Sequence, residues 1–319
     1  MAIQPNVAAP RVAAPLPTRP GVRRRFGVLD RHVWVLYVAP AALVLVAVTL
    51  APLVYLLYNS LTDYDLRRAY LGRTFIGLGN YRTMLEDGAF WQSVQVALTV
   101  TAGVVVVELV FGMALAMLFS REFPGKRVVR SLFLLPLITT PVVVGLTWRM
   151  LYNSDLGMIN YVLGSLGLPT PLWLASTRLA LPSVIITDTW HAVPFVTLMF
   201  VAGLQSLPTE PQEAAKVDGA SAWRRFLDIT LPQMRPLIFL ALIFRATDAI
   251  RMFDLIYVMT SGGPANATQT LNMYAYKVGF QFLNIGYGSA LAVVLMLVCI
   301  GISFVLVKYS GIELEGGAR

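Results

Sequence analysis

Seven ionisable side chains stand inside stretches of sequence that are otherwise apolar: Glu108, Asp188, His191, Arg245, Asp248, Arg251 and Asp254. Such groups cost several kcal/mol in apolar surroundings unless paired or wet, and they mark a functional site by default. Their spacing sorts them. Asp188, His191, Ala192 and Phe195 fall at i, i+3, i+4 and i+7, one stripe of a helix, and Arg245, Asp248, Ala249 and Met252 repeat that spacing. A carboxylate accepts a hydrogen bond from a hydroxyl and a guanidinium donates one to it. Two such stripes facing each other across an aqueous cavity would form a substrate site, with Trp190 and Phe195 adding aromatic faces. A solute hydroxyl can bond to both kinds of group, so the charges do not require a charged solute. The candidate substrate-binding set is Asp188, Trp190, His191, Phe195, Arg245 and Asp248. Two other readings stay open: Arg245 and Asp248 as a mere i, i+3 ion pair, and Asp188, His191 and Arg245 as the proton relay of an ion-coupled carrier. Arg251 lies about 240° round from Arg245 on an ideal helix, so it reads as a structural pair with Asp254 toward a neighbouring subunit. Glu108 reads as an interhelical hydrogen-bonding group.

Other chemistry is missing. The Gly125-Lys126 dipeptide lacks the earlier Gly and the following Ser or Thr of a phosphate-binding loop. Two His and one Cys cannot build a zinc or haem centre, and no Gly-x-Ser-x-Gly elbow occurs. The chain is expected to bind no cofactor and no metal and to catalyse no reaction. If it moves a solute uphill, the energy comes from another subunit or from an ion gradient.

The elements that position these groups must lie in a membrane. The 319 residues are 57% hydrophobic and 13% charged, against roughly 25% charged in a soluble domain. Mean hydropathy is +0.67. A bilayer core of about 30 Å takes about 20 apolar helical residues. Six candidate spans follow: Trp34–Tyr58, Ser93–Phe119, Val128–Tyr152, Leu181–Leu204, Leu237–Thr260 and Gly286–Lys308. The expected fold is an all-α polytopic membrane protein. Residues 1–32 form a Pro- and Ala-rich basic tail of disordered composition, 33–309 the transmembrane domain, and 310–319 a short tail. Val33–Tyr58 is too long for a signal-peptide core and stays in place. Pro40, Pro52, Pro136, Pro141, Pro182 and Pro194 read as kinks.

Charge sets orientation. With both termini inside, sixteen Lys and Arg lie on the cytoplasmic side and six on the other, so both termini are expected in the cytoplasm. The net charge of +8 then reflects loops beside anionic lipid rather than nucleic-acid binding. The 62–90 loop is the awkward one, since four Arg must cross, with Asp63, Asp65, Glu86 and Asp87 to balance them.

Between the fourth and fifth spans lies a polar segment, 207–232. Thr209 suits an N-cap, Pro211 an early helical position, and Glu210 and Glu213 the positive end of a short helix. Gly219 stops that helix, a second, basic one begins at Ser221, and Pro232 is expected to break the chain before the next span. This helix–turn–helix is either a docking element or a surface helix on lipid head groups.

The spacing within it carries a resemblance. Glu213-Ala214-Ala215, then Gly219, then Ile229-x-Leu231-Pro232 resembles the EAA loop of ABC importer permeases. Leu134-Leu135-Pro136, Asp188-Thr189-Trp190, Phe253-Asp254-Leu255-Ile256-Tyr257 and Thr260-Ser261-Gly262-Gly263-Pro264 resemble the carbohydrate-uptake branch, that of the maltose and glycerol-phosphate importers. The likeness runs from about Val33 to Lys308 and is to the first of the two permeases in such a system. It implies a permease in a bacterial inner membrane that takes up a polyol, glycoside or disaccharide. It implies a second permease making a heterodimer, two ATPase subunits that use ATP and Mg, and an external solute-binding protein. Glu213, Ala214, Ala215, Asp218, Gly219, Leu231 and Pro232 would form the coupling element. The positions of the two stripes, Asp188 to Phe195 and Arg245 to Met252, match those where maltose-type permeases hold sugar with mostly neutral residues; this sequence departs by being charged there. EAA loops also occur in importers of other solutes, which is the main alternative, with the ion-coupled carrier behind it.

Overall fold

A computed structural model describes residues 28–309, with side chains from 37 to 308. The tail at 1–27 and the segment 310–319 lie outside the described residues. The chain divides into two units, one running to Pro52 and one from Leu53 onward. Helix α1 spans Val28–Ser60 and carries Pro40 and Pro52 within it. It begins before the expected boundary at 32, because helical hydrogen bonding continues through Asp30-Arg31-His32 where the apolar pattern has stopped.

A short polar segment follows. Strands β1 (Thr62–Asp63) and β2 (Thr74–Phe75) pair antiparallel, with Thr62 opposite Phe75. Its arginines are partnered locally. Arg67 reaches Asp65 at 2.7 Å, Arg68 reaches Asp63 at 3.6 Å, and Arg82 lies 3.9 Å from Glu86. Arg73 sits 4.1 Å over the Tyr64 ring. The Arg67 side-chain hydrogen bond holds the Asp65 carboxyl down at about 2.

Helices α2 (Gly79–Glu86) and α3 (Gly88–Phe119) meet at Asp87. Asp87 caps α3 by accepting from Ala89 N at 2.9 Å. It also accepts from the hydroxyls of Tyr274 and Tyr287 at 2.5 and 2.6 Å. Burial pushes this carboxyl up, but those hydrogen bonds outweigh it and hold it below the usual range.

The third span is broken rather than kinked. Helix α4 (Lys126–Phe133) continues as a short 3-10 turn, Leu135–Ile138, and α5 (Pro141–Leu151) leaves it at 102°. The residue before a proline is driven out of the helical region. Thr140, before Pro141, is extended at ψ 146, as is Thr139 at ψ 141. Helix α6 (Met158–Ser165) precedes α7 (Ala180–Ser206), the fourth span, which is continuous across Pro194.

Short helices α8 (Glu210–Val217) and α9 (Ala222–Arg225) lead into α10 (Leu231–Ala249). Pro232 does not break the chain as expected. A π-helical turn, Phe226–Thr230, joins α9 to α10, with Leu231 N donating to Phe226 O. The wider i to i−5 turn shifts the hydrogen-bond register just where Pro232 can supply no N–H. The fifth span ends at Ala249 instead of reaching Thr260, and α11 (Asp254–Met259) starts anew after a four-residue break. Helix α12 (Leu271–Tyr276), a second π turn (Lys277–Gln281) and α13 (Ile285–Tyr309) complete the described chain. Among the described residues five helices are long and apolar enough to cross a membrane, or six where the bent third pair counts as one span.

The packing that positions the interior polar groups is between α3 and α7. Buried Val100, Val104 and Val184 join one apolar cluster, and Met113, Ala116, Val196 and Phe200 another. Glycines let the two backbones close. A Cβ on Gly112 would meet Val196 Cγ1 at 2.7 Å, and one on Gly103 would meet Ile185 Cδ1 at 2.8 Å. Val196 is fully buried and β-branched, so it cannot swing away.

Gly112→Ala should therefore destabilise the protein by about 1–3 kcal/mol through overpacking. Gly301→Ala, where a Cβ meets nothing within 4 Å, should leave stability unchanged or raise it. Thermal unfolding of both variants in one detergent checks the pair; equal midpoints would remove the steric account of Gly112.

Candidate functional site

Arg245 stands in α10 as the centre of the buried polar groups. Its Nε donates to Glu108 Oε2 at 2.5 Å and its Nη2 to Glu108 Oε1 at 2.9 Å, a bidentate clamp onto α3. Nη2 also donates to Asp188 Oδ2 on α7 at 2.7 Å, and Nη1 to Asp248 Oδ2 at 2.7 Å, one turn along its own helix. Side-chain exposure grades outward: Glu108 0%, Arg245 7%, Asp188 12%, Asp248 65%. Burial of a charge is tolerable only with such pairing. Three spans are thus tied at one guanidinium.

Asp188, Arg245 and Asp248, chosen from sequence as a substrate set, do come together. Glu108 joins them in the interhelical role its place in the second span suggested. Its bidentate hold on Arg245 was not legible, because nothing in a linear pattern says which of several cations a carboxylate meets. The guanidinium is taken up by carboxylates, so the face it leaves open is that of the Asp248 carboxylate, a hydrogen-bond acceptor.

The other candidates point elsewhere. His191 Nε2 lies 3.1 Å from Thr139 O; a carbonyl only accepts, so this nitrogen carries the proton. The extended backbone at Thr139 has no helical partner for that carbonyl, and His191 supplies one across from α7. Trp190 is 46% exposed and its ring packs edge-on to Trp148 at 5.7 Å. It lines a cavity of about 300 Å³ with Leu132, Phe133, Leu135, Pro136, Thr139 and Pro194. Trp190 therefore belongs to the break in the third span and not to the Arg245 cluster. Phe195 lies one turn beyond His191, partly exposed.

Arg251 and Asp254 do not form the expected pair. The helix ends at Ala249 between Asp248 and Arg251, so i, i+3 geometry no longer holds. Arg251 Nε donates back to Thr247 O at 3.0 Å, Asn272 caps the Arg251 carbonyl at 2.8 Å, and Asp254 occupies the first turn of α11. Met252 has likewise left the stripe of Arg245 and Asp248 and is buried beyond the break.

The polar loop between the fourth and fifth spans folds as a helix–turn–helix. Thr209 sits at the N-cap position of α8 but its side chain makes no capping bond. At the other end Gly219 adopts φ +78, and Ala220 N donates to Ala215 O at 2.9 Å. This is a left-handed glycine closure of a helix. Ser221 Oγ then accepts from Arg224 N at 3.3 Å to open α9. Gln212 Nε2 donates to Thr230 Oγ1 at 2.8 Å, and Arg225 Nη1 to Ala220 O at 2.8 Å, which pin the two helices together. Glu213, Ala214, Asp218 and Gly219 are exposed, Ala215 and Leu231 half-buried, and Pro232 exposed. Val217 and Trp223 are 87% and 68% exposed.

Residues 108–310 match the family model described as "Binding-protein-dependent transport system inner membrane component". The chain is 41% identical over 287 residues to the probable ABC transporter permease protein y4oQ of Sinorhizobium fredii, covering 90% of this chain and 92% of that one. It is 37% identical over 288 residues to the trehalose transport system permease protein SugA of Mycobacterium tuberculosis, with the same coverage. Among solved structures, a chain of a bacterial alginate ABC transporter in complex with an alginate-bound periplasmic protein superposes with a TM-score of 0.76. That match has 19% identity and covers 93% of this chain and all of that one, a likeness of fold.

The exposure gradient in the Arg245 cluster sets an order of costs. Arg245→Ala strands the buried Glu108 and Asp188 carboxylates, and Glu108→Ala strips the buried guanidinium of its bidentate partner; each should destabilise by about 3–5 kcal/mol. Asp248→Ala removes a largely exposed partner and should cost at most about 1 kcal/mol. Unfolding midpoints of the three purified variants check this; equal losses for Asp248 and Glu108 would contradict the gradient.

Proposed function

Because the chain belongs to the family of binding-protein-dependent transport system inner membrane components, we propose that it is the permease subunit of an ATP-driven importer for a sugar or sugar derivative. The polar loop after the fourth span carries this reading. It folds as a closed helix–turn–helix whose tip, at Glu213, Ala214, Asp218 and Gly219, is exposed, as a coupling element that inserts into another subunit needs to be. Its exposed Val217 and Trp223 are apolar groups a partner would cover. That partner is an ATPase, present twice, which uses ATP and Mg; this chain itself binds no cofactor and performs no hydrolysis. A second permease completes a heterodimer in which this chain is the first member, and an external solute-binding protein delivers the solute.

The sugar assignment is supported by the relative named for trehalose and by the acceptor character of the open face. Asp248 and, behind it, Asp188 accept hydrogen bonds from solute hydroxyls, while Arg245 is held by Glu108 and keeps both carboxylates in place. Each charge-assisted hydrogen bond contributes about 1.5–3 kcal/mol. Phe195 offers an aromatic face on the same stripe as Asp188. His191 and Trp190 act on this site indirectly, by holding the break of the third span. Both termini and the coupling loop are cytoplasmic, and the 69–90 and 262–286 segments are external, in line with the excess of basic residues on the cytoplasmic side.

Gly219→Pro should abolish solute-stimulated ATP hydrolysis and uptake without preventing membrane insertion. Proline fixes φ near about −65°, and the turn requires φ +78. Gly219→Asn, which tolerates the left-handed region, should retain most activity. Reconstituting the complex and assaying ATP hydrolysis with loaded binding protein checks this; stimulation surviving in Gly219→Pro would refute the coupling role.

Orientation is tested by cysteine labelling in intact cells after Cys299 is replaced by Ser. Ala220→Cys should resist an impermeant maleimide and Ala69→Cys should react. The reverse pattern would overturn the topology and the coupling assignment together.

A further inference from the structure

Helix α4 opens the third span with the sequence Lys126-Arg127-Val128-Val129-Arg130-Ser131-Leu132-Phe133, and its two sides differ sharply. Lys126, Arg127 and Arg130 fall at i, i+1 and i+4, on one side. Val128, Leu132 and Leu135 fall at i, i+4 and i+7, on another. The apolar stripe is uncovered: these three side chains are 63%, 61% and 53% exposed. Beside the basic side is a cavity of about 490 Å³ lined by Glu122, Phe123, Gly125, Lys126, Arg127 and Arg130.

The charge balance of that cavity is incomplete. Glu122 is its one carboxylate, and it accepts from Lys126 Nζ at 2.8 Å. Neither Arg127 nor Arg130 meets a carboxylate among the described residues, and Arg127 and Arg130 stand three apart, Lys126 and Arg130 four apart, on one helix. Like charges at that spacing repel. An anion in the cavity would relieve this, and guanidinium groups match a phosphodiester in geometry as well as charge.

We infer that the basic end of α4 binds the headgroup of an anionic phospholipid, whose acyl chains lie along Val128, Leu132 and Leu135. A free phosphate would account for the cations but not for the exposed apolar stripe that runs on from them. A protein partner would have to bury Arg127 and Arg130 or leave the stripe half covered. A lipid satisfies both halves with one molecule, since amphipathic basic helices at the membrane surface bind by apolar burial together with attraction to anionic lipid. The orientation proposed above enters only in placing this lipid in the cytoplasmic leaflet; the chemistry of the ligand stands without it.

The test uses the assembled importer in nanodiscs of phosphatidylcholine with a minor fraction of phosphatidylglycerol, released intact into a mass spectrometer. The wild type should retain phosphatidylglycerol. The triple variant Lys126→Gln/Arg127→Gln/Arg130→Gln should retain it with affinity lower by on the order of a hundredfold. Glu122→Gln, which removes the competing anion, should retain more than the wild type, a gain that misfolding cannot imitate. Retention in the triple variant equal to wild type would overturn the proposal. Displacement of the lipid by inorganic phosphate would reduce the site to a phosphate pocket and overturn it too. Loss of the second permease or the ATPase subunits from the triple variant, with lipid retention unchanged, would assign the surface to a protein partner instead.

Discussion

Arg245 cannot be solvated where it lies, and most of the interior follows from how that is solved. Its guanidinium reaches Glu108 on the second span, Asp188 on the fourth and Asp248 on its own, the fifth. A buried guanidinium needs nearly all its donors occupied, and here three helices converge on it. That convergence is possible because Gly103 and Gly112 strip the α3 surface where Ile185 and Val196 approach it. The small residues and the charged ones are therefore parts of one arrangement, the first setting the distance that the second require.

A second constraint acts through the backbone. In a membrane every freed carbonyl has to find a donor, and prolines free several. Each break here has a local answer. At Thr139 it is the ring nitrogen of His191 on the neighbouring span, and at Arg251 the side-chain amide of Asn272. At Pro232 it is a π turn that changes register before the proline is reached. The polar side chains of the interior thus divide into those that balance charge around Arg245 and those that close gaps in the backbone.

The two kinds of feature meet in the function. The loop 207–232 is continuous in sequence with α7 at one end and α10 at the other, the helices that carry Asp188 and Arg245. The Asp188–Arg245 ion pair joins those two helices, so under the proposed coupling role a push on the exposed tip would act on both at once. The exposed Asp248 lies at the open edge of this cluster and the Glu108 clamp at its closed one, which is the asymmetry the proposed solute contact relies on.

Composition and periodicity carried the lipid solvent, the approximate number of spans and the Asp188 stripe, because burial in lipid leaves a signal about a helix in length; the second stripe held only as far as Ala249. The loop at 207–232 was legible too, since capping and turn residues act on their immediate neighbours: Gly219 and Ser221 do locally what their types predict. Where helices would break was only half legible. Pro141 and Pro194 look alike in sequence, yet one opens a helix turned by 102° from the one before it and the other lies inside a continuous helix. Partner choice was not legible at all. Asp188, Trp190 and His191 share a single turn of one helix, but the structure sends Asp188 to Arg245, His191 to a backbone carbonyl and Trp190 to a different cavity. Side-chain direction on a helix follows from sequence; what stands opposite each direction is set by the packing of other helices, and that only the tertiary structure decides.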